Sequence, residues 1–272
     1  MKLYKVLAEI MVDWRYIDSH VNLHAPQFDE DRAEVIERAQ AAGVDLMINI
    51  CDRVSNFEAV YEVADQHEHI WATAGTHPHE ARENPDLTVA TLLDMARRPK
   101  VVGIGECGLD FHYDYSPREI QARVFRTHVA AARESGLPLV VHTREADAEM
   151  IEILEEEYSR GKFATLLHCY TSGAELAKRA AALGAYFSVS GIATFKAAQA
   201  VRDIIAEMPA DRIIVETDCP YLAPIPMRGR RNEPAFVPYV YEKLADIRGW
   251  SLDDTRHRTH DAFFRLFNKI PR

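Results

Sequence analysis

The sequence predicts a (β/α)₈ barrel, the TIM barrel, and three observations lead to that fold class. Eight short runs of apolar residues alternate with amphipathic segments of helical period along the 272-residue chain. The runs are apolar without alternation, which is typical of parallel strands buried on both faces. A barrel of this kind occupies roughly 250 residues as one domain. We therefore expect residues 1–272 to form a single barrel domain.

The predicted strands and helices alternate in order along the chain. An open doubly wound sheet is the second choice, but no glycine-rich dinucleotide fingerprint follows the first strand. The strands are predicted at 16–18, 46–50, 70–74, 101–104, 139–141, 164–167, 186–189 and 213–215, and the helices at 30–42, 56–66, 88–97, 120–134, 146–158, 174–183, 197–208, 238–247 and 253–267.

Charge and composition limit the class of protein. The formal net charge is −10, which argues against broad, non-specific wrapping of nucleic acid but allows a small basic site for a chain end. Charges throughout residues 1–16 predict no signal peptide, and no apolar run is long enough to span a membrane. The four cysteines form no CxxC pair. We expect a reduced, cytoplasmic protein without a membrane partner.

Metal-binding residue types recur at the carboxyl ends of the predicted strands, where the active site of such a barrel lies. A buried carboxylate there needs a metal, a cation or a protonation role. Each residue alone could be a hydrogen-bonded core residue or a helix cap, but together they predict a divalent-cation site. The strand ends carry Asp18 and His20, then His77, Glu106, His142, His168 and Asp218.

Three cysteines each follow one of these residues directly. Because side chains alternate along a strand, Cys107, Cys169 and Cys219 are expected to turn toward the helix layer as small buried fillers. Zinc binding by Cys169 or Cys219 is the alternative.

The other histidines divide by their position in the predicted elements. His128 lies on the apolar stripe of a helix and is predicted to be a core residue. Loop positions near the barrel mouth would let some histidines touch substrate, whereas helix and helix-end positions predict surface residues. The first group is His24, His79 and His112, and the second is His67, His69, His257 and His260.

Seven stretches carry the strand-end residues in a fixed order. They resemble the TatD family of metal-dependent hydrolases, a branch of the amidohydrolase-like barrels, and the resemblance extends from residue 16 to 267. The stretches are 18–23 (DSHVNL), 75–78 (GTHP), 103–110 (GIGECGLD), 141–144 (VHTR), 167–170 (LHCY), 216–222 (ETDCPYL) and 228–234 (RGRRNEP).

The resemblance implies two divalent cations (Mg²⁺, Mn²⁺ or Zn²⁺) bridged by Glu106. It places His142 and His168 at one cation, and His20 and Asp218 at the other. It also implies a deoxyribonuclease that removes nucleotides from DNA ends, often the 3′ end, by metal-activated water, with single-stranded DNA as a further substrate. Glu106 and Asp218 are the expected catalytic residues, with Asp218 as proton acceptor.

One residue departs from the family pattern. The first strand commonly carries a His-x-His pair, and Asn22 occupies the second position here. An amide oxygen is a neutral, hard and weaker donor than imidazole, so this site should favour magnesium or manganese over zinc. We expect one firm cation at Glu106, His142 and His168, and a second, weaker one.

Arginines and tyrosines could contact the substrate. Arg144 and Arg228 lie inside the matching stretches and are expected to bind phosphate, whereas Arg230 could equally belong to a solvated turn. His77 and Asp110 are expected to contact substrate or to orient the ligands. Three tyrosines could stack on a base or pack at the rim: Tyr113, Tyr115 and Tyr170.

Two other functions remain open. The same chemistry serves hydrolysis of small amides, esters or lactones, although the arginine-rich 227–231 loop favours phosphate. A barrel retained only for binding is the third alternative, and five intact ligand-type residues argue against it. We expect a monomer or a weak oligomer.

Overall fold

A computed structural model describes residues 15–113 and 115–272. Eight parallel strands form one sheet in which each strand pairs with the next along the chain. The predicted strands 70–74, 186–189 and 213–215 are confirmed to the residue. The strands are β1 (Tyr16–Val21), β2 (Val44–Asn49), β3 (Ile70–Ala74), β4 (Val101–Asp110), β5 (Leu139–Arg144), β6 (Thr165–Leu167), β7 (Tyr186–Val189) and β8 (Ile213–Val215).

Helices connect successive strands and cover the outside of the sheet, so the predicted (β/α)₈ barrel is confirmed. Two helices follow the last strand, as the sequence predicts. The helices are α1 (Arg32–Ala41), α2 (Phe57–Asp65), α3 (Val89–Ala96), α4 (Arg118–Ser135), α5 (Asp147–Arg160), α6 (Ala174–Ala182), α7 (Gln199–Glu207), α8 (Val237–Arg248) and α9 (Leu252–Leu266).

The first and last strands meet at the carboxyl end of the barrel. Val21 and Cys219 form a parallel bridge. The backbone N–H of Asp218 donates to the carbonyl of His20 at 3.0 Å, and that of Asn22 donates to the carbonyl of Cys219 at 3.0 Å. Residues expected to share a cation are therefore joined through their backbones.

β4 is longer than the sequence predicts. The apolar run stops at Ile104 because glycines interrupt it, yet the strand continues to Asp110 and pairs with β5 up to Arg144. All ten residues are buried. The pairing shifts register between Ile104 and Cys107, so Glu106 lies within an irregular part of the strand and not at its end.

Apolar side chains fill two regions. The larger cluster lies between the sheet and the surrounding helices. The smaller one lines the barrel interior with residues such as Val140 and Ile214, and the aromatic face of α9 packs against it through Phe263 and Phe267. α9 contacts β8 and β1, so it covers the amino end of the barrel.

The position of α9 corrects one prediction. His260 is buried, not on the surface, because α9 packs against the barrel and brings its ring 6.0 Å from that of Tyr241. His128 is a core residue, as predicted. No described helix combines the length and apolarity needed to cross a membrane. The prediction about a signal peptide falls on residues outside the described ranges, and the single-domain assignment of residues 1–272 stays a prediction.

Candidate metal centre

Glu106 lies at the centre of a cluster of imidazoles at the carboxyl end of the barrel. Its Oε1 is 2.6 Å from Nε2 of His168, 3.3 Å from Nδ1 of His142 and 3.5 Å from Nε2 of His77. Its Oε2 is 3.3 Å from Nε2 of His20. Burial alone would raise the pKa of Glu106, but the neighbouring histidines outweigh it and hold the pKa well below its usual value.

These donors form two groups that share Glu106. His20, Glu106 and His168 offer ligand atoms within 4.8 Å of one another, and so do His77, Glu106 and His142. The rings of His20 and His168 stack at 4.1 Å, and those of His77 and His142 lie 4.5 Å apart. The arrangement implied by the resemblance, with His142 and His168 at one cation, stays a prediction.

The hydrogen bonds of the cluster test whether its residues fit a metal. Both ring nitrogens of His20 are buried without a hydrogen-bond partner. Nε2 of His168 lies 2.6 Å from Glu106 but is not aligned for a hydrogen bond with it. Buried polar atoms in proteins are nearly always bonded, and imidazole with carboxylate is a donor set for divalent metals. The residues therefore fit a divalent cation.

Asp110 orients the more open half of the cluster. Its Oδ2 lies 3.0 Å from Nε2 of His142 and 2.9 Å from Nε2 of His79. Burial would raise the pKa of this carboxyl, but the hydrogen bonds with His142 and His79 lower it well below its usual value. Asp110 is 1% exposed, so this geometry favours the orienting role. Its contact with substrate stays a prediction.

Asp218 lies beside the buried half. Its Oδ1 is 3.6 Å from Nε2 of His20. Burial raises its pKa to about 6, although His20 and His168 oppose the shift. Its φ of 58° is the left-handed conformation that non-glycine residues seldom adopt. A carboxylate with a pKa near 6 can take up a proton near neutral pH.

Two buried carboxylates lie behind the cluster: Asp18, which the sequence placed at a strand end, and Glu216, which was not predicted as a site residue. Oε1 of Glu216 lies 3.3 Å from Nδ1 of His168, on the side of the ring opposite Glu106. Asp18 accepts hydrogen bonds from the backbone and hydroxyl of Thr217 at 2.9 and 2.6 Å, and burial raises its pKa to about 7. The signal for Glu216 is its position two residues before Asp218, directly after a buried strand.

Asn22 has a structural role at the junction of β1 and β8. Its Nδ2 donates to the carbonyl of Cys219 at 3.0 Å, parallel to the backbone bond between the same residues. The side chain is 9% exposed. An amide can make this bond through its nitrogen while its oxygen remains free to accept or to bind a cation.

Close glycine packing places Glu106 next to β3. A Cβ on Gly75 would lie 2.5 Å from the Cα of Gly105, and a Cβ on Gly105 would lie 2.4 Å from the carbonyl oxygen of Val140. Gly105 also has a φ of 134°, which side chains disfavour. These contacts require glycine beside the central carboxylate.

The predicted phosphate-binding arginines rest on aromatic rings. The guanidinium carbon of Arg144 lies 5.0 Å from the ring centre of Tyr113, and that of Arg228 lies 4.0 Å from the ring centre of Phe195. Arg231 is instead paired with Asp31 at 2.6 Å and anchors its loop to α1. Phosphate binding by Arg144 and Arg228 stays a prediction.

The cysteines are not part of either donor group in the described residues. Cys107 and Cys219 are buried, whereas Cys169 is partly exposed and its Sγ lies 3.0 Å from the hydroxyl of Ser190. Burial raises the pKa of all three thiols well above the usual value, which disfavours thiolate chemistry.

Comparison with known families agrees with this geometry. Residues 17–268 match the family described as TatD related DNase. The chain belongs to the TatD family. The fold, the class of enzyme and the resemblance noted in the sequence are thereby confirmed: this TatD protein is a metal-dependent hydrolase that acts on ester bonds.

Full-length relatives and a solved structure support the TatD assignment. The metal-dependent hydrolase YabD of Bacillus subtilis is 37% identical over 250 residues, 92% of this chain and 98% of that protein. The 3′-5′ ssDNA/RNA exonuclease TatD of Erwinia tasmaniensis is 38% identical over 257 residues, 92% of this chain and 99% of that protein. The crystal structure of the TatD homologue YjjV from Escherichia coli has a TM-score of 0.87 at 28% identity, covering 95% and 99% of the two chains.

Proposed function

We propose that this TatD hydrolase is an exonuclease that removes nucleotides from the ends of single-stranded DNA or RNA. The observation that carries the proposal is the carboxylate of Glu106 among four imidazoles at the barrel mouth. The relative from Erwinia tasmaniensis, 38% identical and named as a 3′-5′ ssDNA/RNA exonuclease, supports the choice of substrate and of the 3′ end.

Two divalent cations that share Glu106 are part of the proposal. When bound, such cations polarise the phosphate and lower the pKa of water toward about 7. We assign His142 and His168 to one cation and His20 with Asp218 to the other, as the resemblance implies, although the distances group His20 with His168 and His77 with His142 around Glu106. Glu216 and Asp110 hold the far nitrogens of His168 and His142 and keep each ring oriented.

Protein side chains would transfer the proton and bind the phosphate. Asp218 accepts the proton of the attacking water, since its carboxylate lies beside His20, where the attacking water would be held. Arg144 and Arg228 bind phosphate oxygens, since Arg144 is partly exposed, Arg228 is exposed, and an aromatic ring lies beside each guanidinium. Substrate contact by His77 and Asp110 also belongs to the proposal.

The test is the product pattern on defined substrates. Single-stranded DNA and RNA, labelled at either end, are incubated with the protein and Mg²⁺, Mn²⁺ or Zn²⁺, alongside a panel of small esters, amides and lactones. Stepwise shortening from the 3′ end, abolished by EDTA, is the expected result. Turnover of the small compounds alone would support the alternative hydrolase, and metal binding without turnover would support a binding protein.

Asn22 belongs to the cation site of His20 and Asp218, which we propose is the weaker of the two sites. We expect calorimetry to show one firm site and one weaker site, and two equally tight zinc sites would contradict the proposal. Asn22→His supplies an imidazole and should tighten the weaker site roughly tenfold for zinc. Asn22→Ala is the matched control, because it also loses the hydrogen bond to Cys219 without adding a ligand.

We also propose that the enzyme acts in the cytoplasm as a monomer or weak oligomer. All four cysteines are free, as expected of a protein in a reducing compartment. Light scattering across a concentration series tests the oligomeric state, and fractionation of cells producing the native protein tests the location.

A further inference from the structure

We infer that Tyr113 and Tyr115 form a base-stacking platform, which binds one nucleobase of a single strand beside the metal centre. The inference rests on the proposed function and names how the substrate is held. The two rings stack at 5.1 Å with an interplanar angle of 10°. They are nevertheless exposed, at 38% and 50%. Paired aromatic rings open to solvent are the surfaces on which unpaired bases stack.

The loop that carries the tyrosines is anchored at both of its ends. Gln121 donates to the carbonyls of Asp110 and Ser116 at 3.0 and 2.9 Å, and the backbone N–H of Asp110 donates back to it at 2.8 Å. The hydroxyl of Ser116 donates to the carbonyl of His79 at 2.8 Å. Tyr113 and Tyr115 are therefore exposed close to residues that hydrogen bonds hold in place, which lowers the cost of ordering these rings on a ligand.

One histidine joins the platform to the metal centre. The ring of His79 meets Tyr113 edge-on at 5.5 Å and Tyr115 edge-on at 4.9 Å. Its Nε2 lies 2.9 Å from the carboxylate of Asp110, which also holds His142. A base on the platform therefore belongs to a nucleotide close to the reacting phosphate.

Charge favours a nucleic acid strand over an apolar peptide at this surface. The guanidinium of Arg144 lies over Tyr113 at 5.0 Å, in a chain whose net charge is −10. A cation beside stacked rings matches a nucleotide, which presents a flat base and a negative phosphate together.

Tyr170 shows what a packing tyrosine looks like in the same barrel. It is 2% exposed, its hydroxyl donates to the carbonyl of Gly173 at 2.6 Å, and its ring packs edge-on against Phe187. Tyr113 and Tyr115 are exposed and make no such bond within the described residues, so packing alone does not account for their position.

Binding without turnover tests the platform directly. A fluorescently labelled single-stranded 8-mer is titrated with the full-length protein in EDTA, and its anisotropy is measured. Tyr115→Leu and Tyr113→Leu should each weaken binding about tenfold, because stacking on one base is lost. Tyr115→Phe keeps the ring and should stay within about twofold. Circular dichroism confirms that each variant is folded.

Abasic substrates separate stacking from other effects of the substitution. A single base is removed in turn from each of the four nucleotides nearest the 3′ end. In the wild type, one of these deletions should weaken binding about tenfold, and the same deletion should cost Tyr115→Leu little more. Equal affinities of wild type and the leucine variants, or equal losses on intact and abasic strands, would overturn the platform.

The same proteins, assayed with Mn²⁺ on end-labelled strands, distinguish the two proposals. If the wild type shortens DNA while the leucine variants bind as tightly as the wild type, the platform is wrong and the exonuclease stands. If binding depends on the base but no strand is shortened under any metal, the exonuclease is wrong and the platform stands as a binding site.

Discussion

The two ends of the barrel are built from the same strands but differ in what they face. On β5, β6 and β8, an apolar side chain of the interior cluster is followed two residues later by a residue of the site. The pairs are Val140 and His142, Leu166 and His168, and Ile214 and Glu216. On these three strands, the inward-facing side chains therefore change from apolar core residues to residues of the metal centre within two positions.

The difference shows how one fold separates stability from chemistry. At the amino end, apolar residues pack against the aromatic face of α9, and burial of that area stabilises the fold. At the carboxyl end, carboxylates and imidazoles are buried side by side. Burying such polar groups lowers the stability of the fold, but it provides ligands for cations. Substitutions at the two ends should therefore affect different measurements.

The largest expected effect on activity is at the carboxyl end. Glu106→Gln keeps the side-chain volume but removes the charge that four histidines surround, and turnover should fall roughly a thousandfold or more. Initial rates on the best diester substrate measure it. Glu157→Gln is the matched control, since that carboxylate is also buried but pairs with Arg126 and Arg133 on the outer layer. A similar rate loss in the control would contradict the separation.

The largest expected effect on stability is at the amino end. Phe267 is fully buried in the interior cluster, and Phe267→Ala should lower the free energy of unfolding by about 4 kcal/mol. Urea unfolding at 25 °C measures it. Turnover per folded molecule should stay near that of the wild type, and a large loss of turnover in folded protein would show that the two ends are coupled.

A smaller effect, on metal affinity, is expected from replacing a residue that orients the metal ligands but does not itself bind the metal. Asp110→Asn removes the charge that holds His142 and His79, and metal affinity by calorimetry should weaken about 10- to 100-fold. Asp147→Asn is the control, because that carboxylate accepts a backbone hydrogen bond from Gly173 and has no histidine partner among the described residues. Unchanged metal affinity in Asp110→Asn would show that Asp110 does not orient the metal ligands.

The free energy of unfolding should also depend on pH, because a buried histidine supports the backbone next to the metal centre. His128 accepts a bond from the backbone of Thr76 at 3.0 Å, and burial lowers its pKa from 6.5 to about 4. Only the neutral imidazole can accept this hydrogen bond. The contribution of His128 to the free energy of unfolding is therefore complete above pH 6.5 and is lost as pH falls toward 4. Between pH 7.5 and 5, the loss should be about 2 kcal/mol.

Urea unfolding in EDTA at both pH values measures this loss for the wild type and for His128→Gln. The glutamine variant should lose about 2 kcal/mol less than the wild type between the two conditions. An equal loss would show that His128 does not become protonated more readily on unfolding.

Much of the barrel was predictable because local pattern and burial agree. β3, β7 and β8 are apolar runs bounded by polar residues, and the structure has them at the predicted positions. β4 was predicted too short because its glycines resemble a turn in sequence, while in the fold they permit close contact with neighbouring strands. That contact depends on residues distant in the chain.

The types of residue in the site were predictable, whereas the hydrogen-bond partners that orient the histidines were less so. The strand-end rule brought His20, His142 and His168 together with Glu106. Glu216 and the orienting bonds of Asp110 depend on how two strands approach, which a single sequence does not display. His260 was misplaced because a polar residue on a terminal helix suggests the surface, whereas tertiary packing buries it.

The junction of β1 and β8 has a consequence for how the protein is made. Asp18 bonds to Thr217 across 199 residues of chain, and His20 meets Asp218 at the same junction. Contacts of such large sequence separation form slowly, because a long loop must be closed before they contribute. During synthesis, a chain whose eighth strand is still inside the ribosome lacks Glu216 and Asp218 beside the two donor groups. The proposed proton acceptor therefore joins the metal centre only once ring closure is complete.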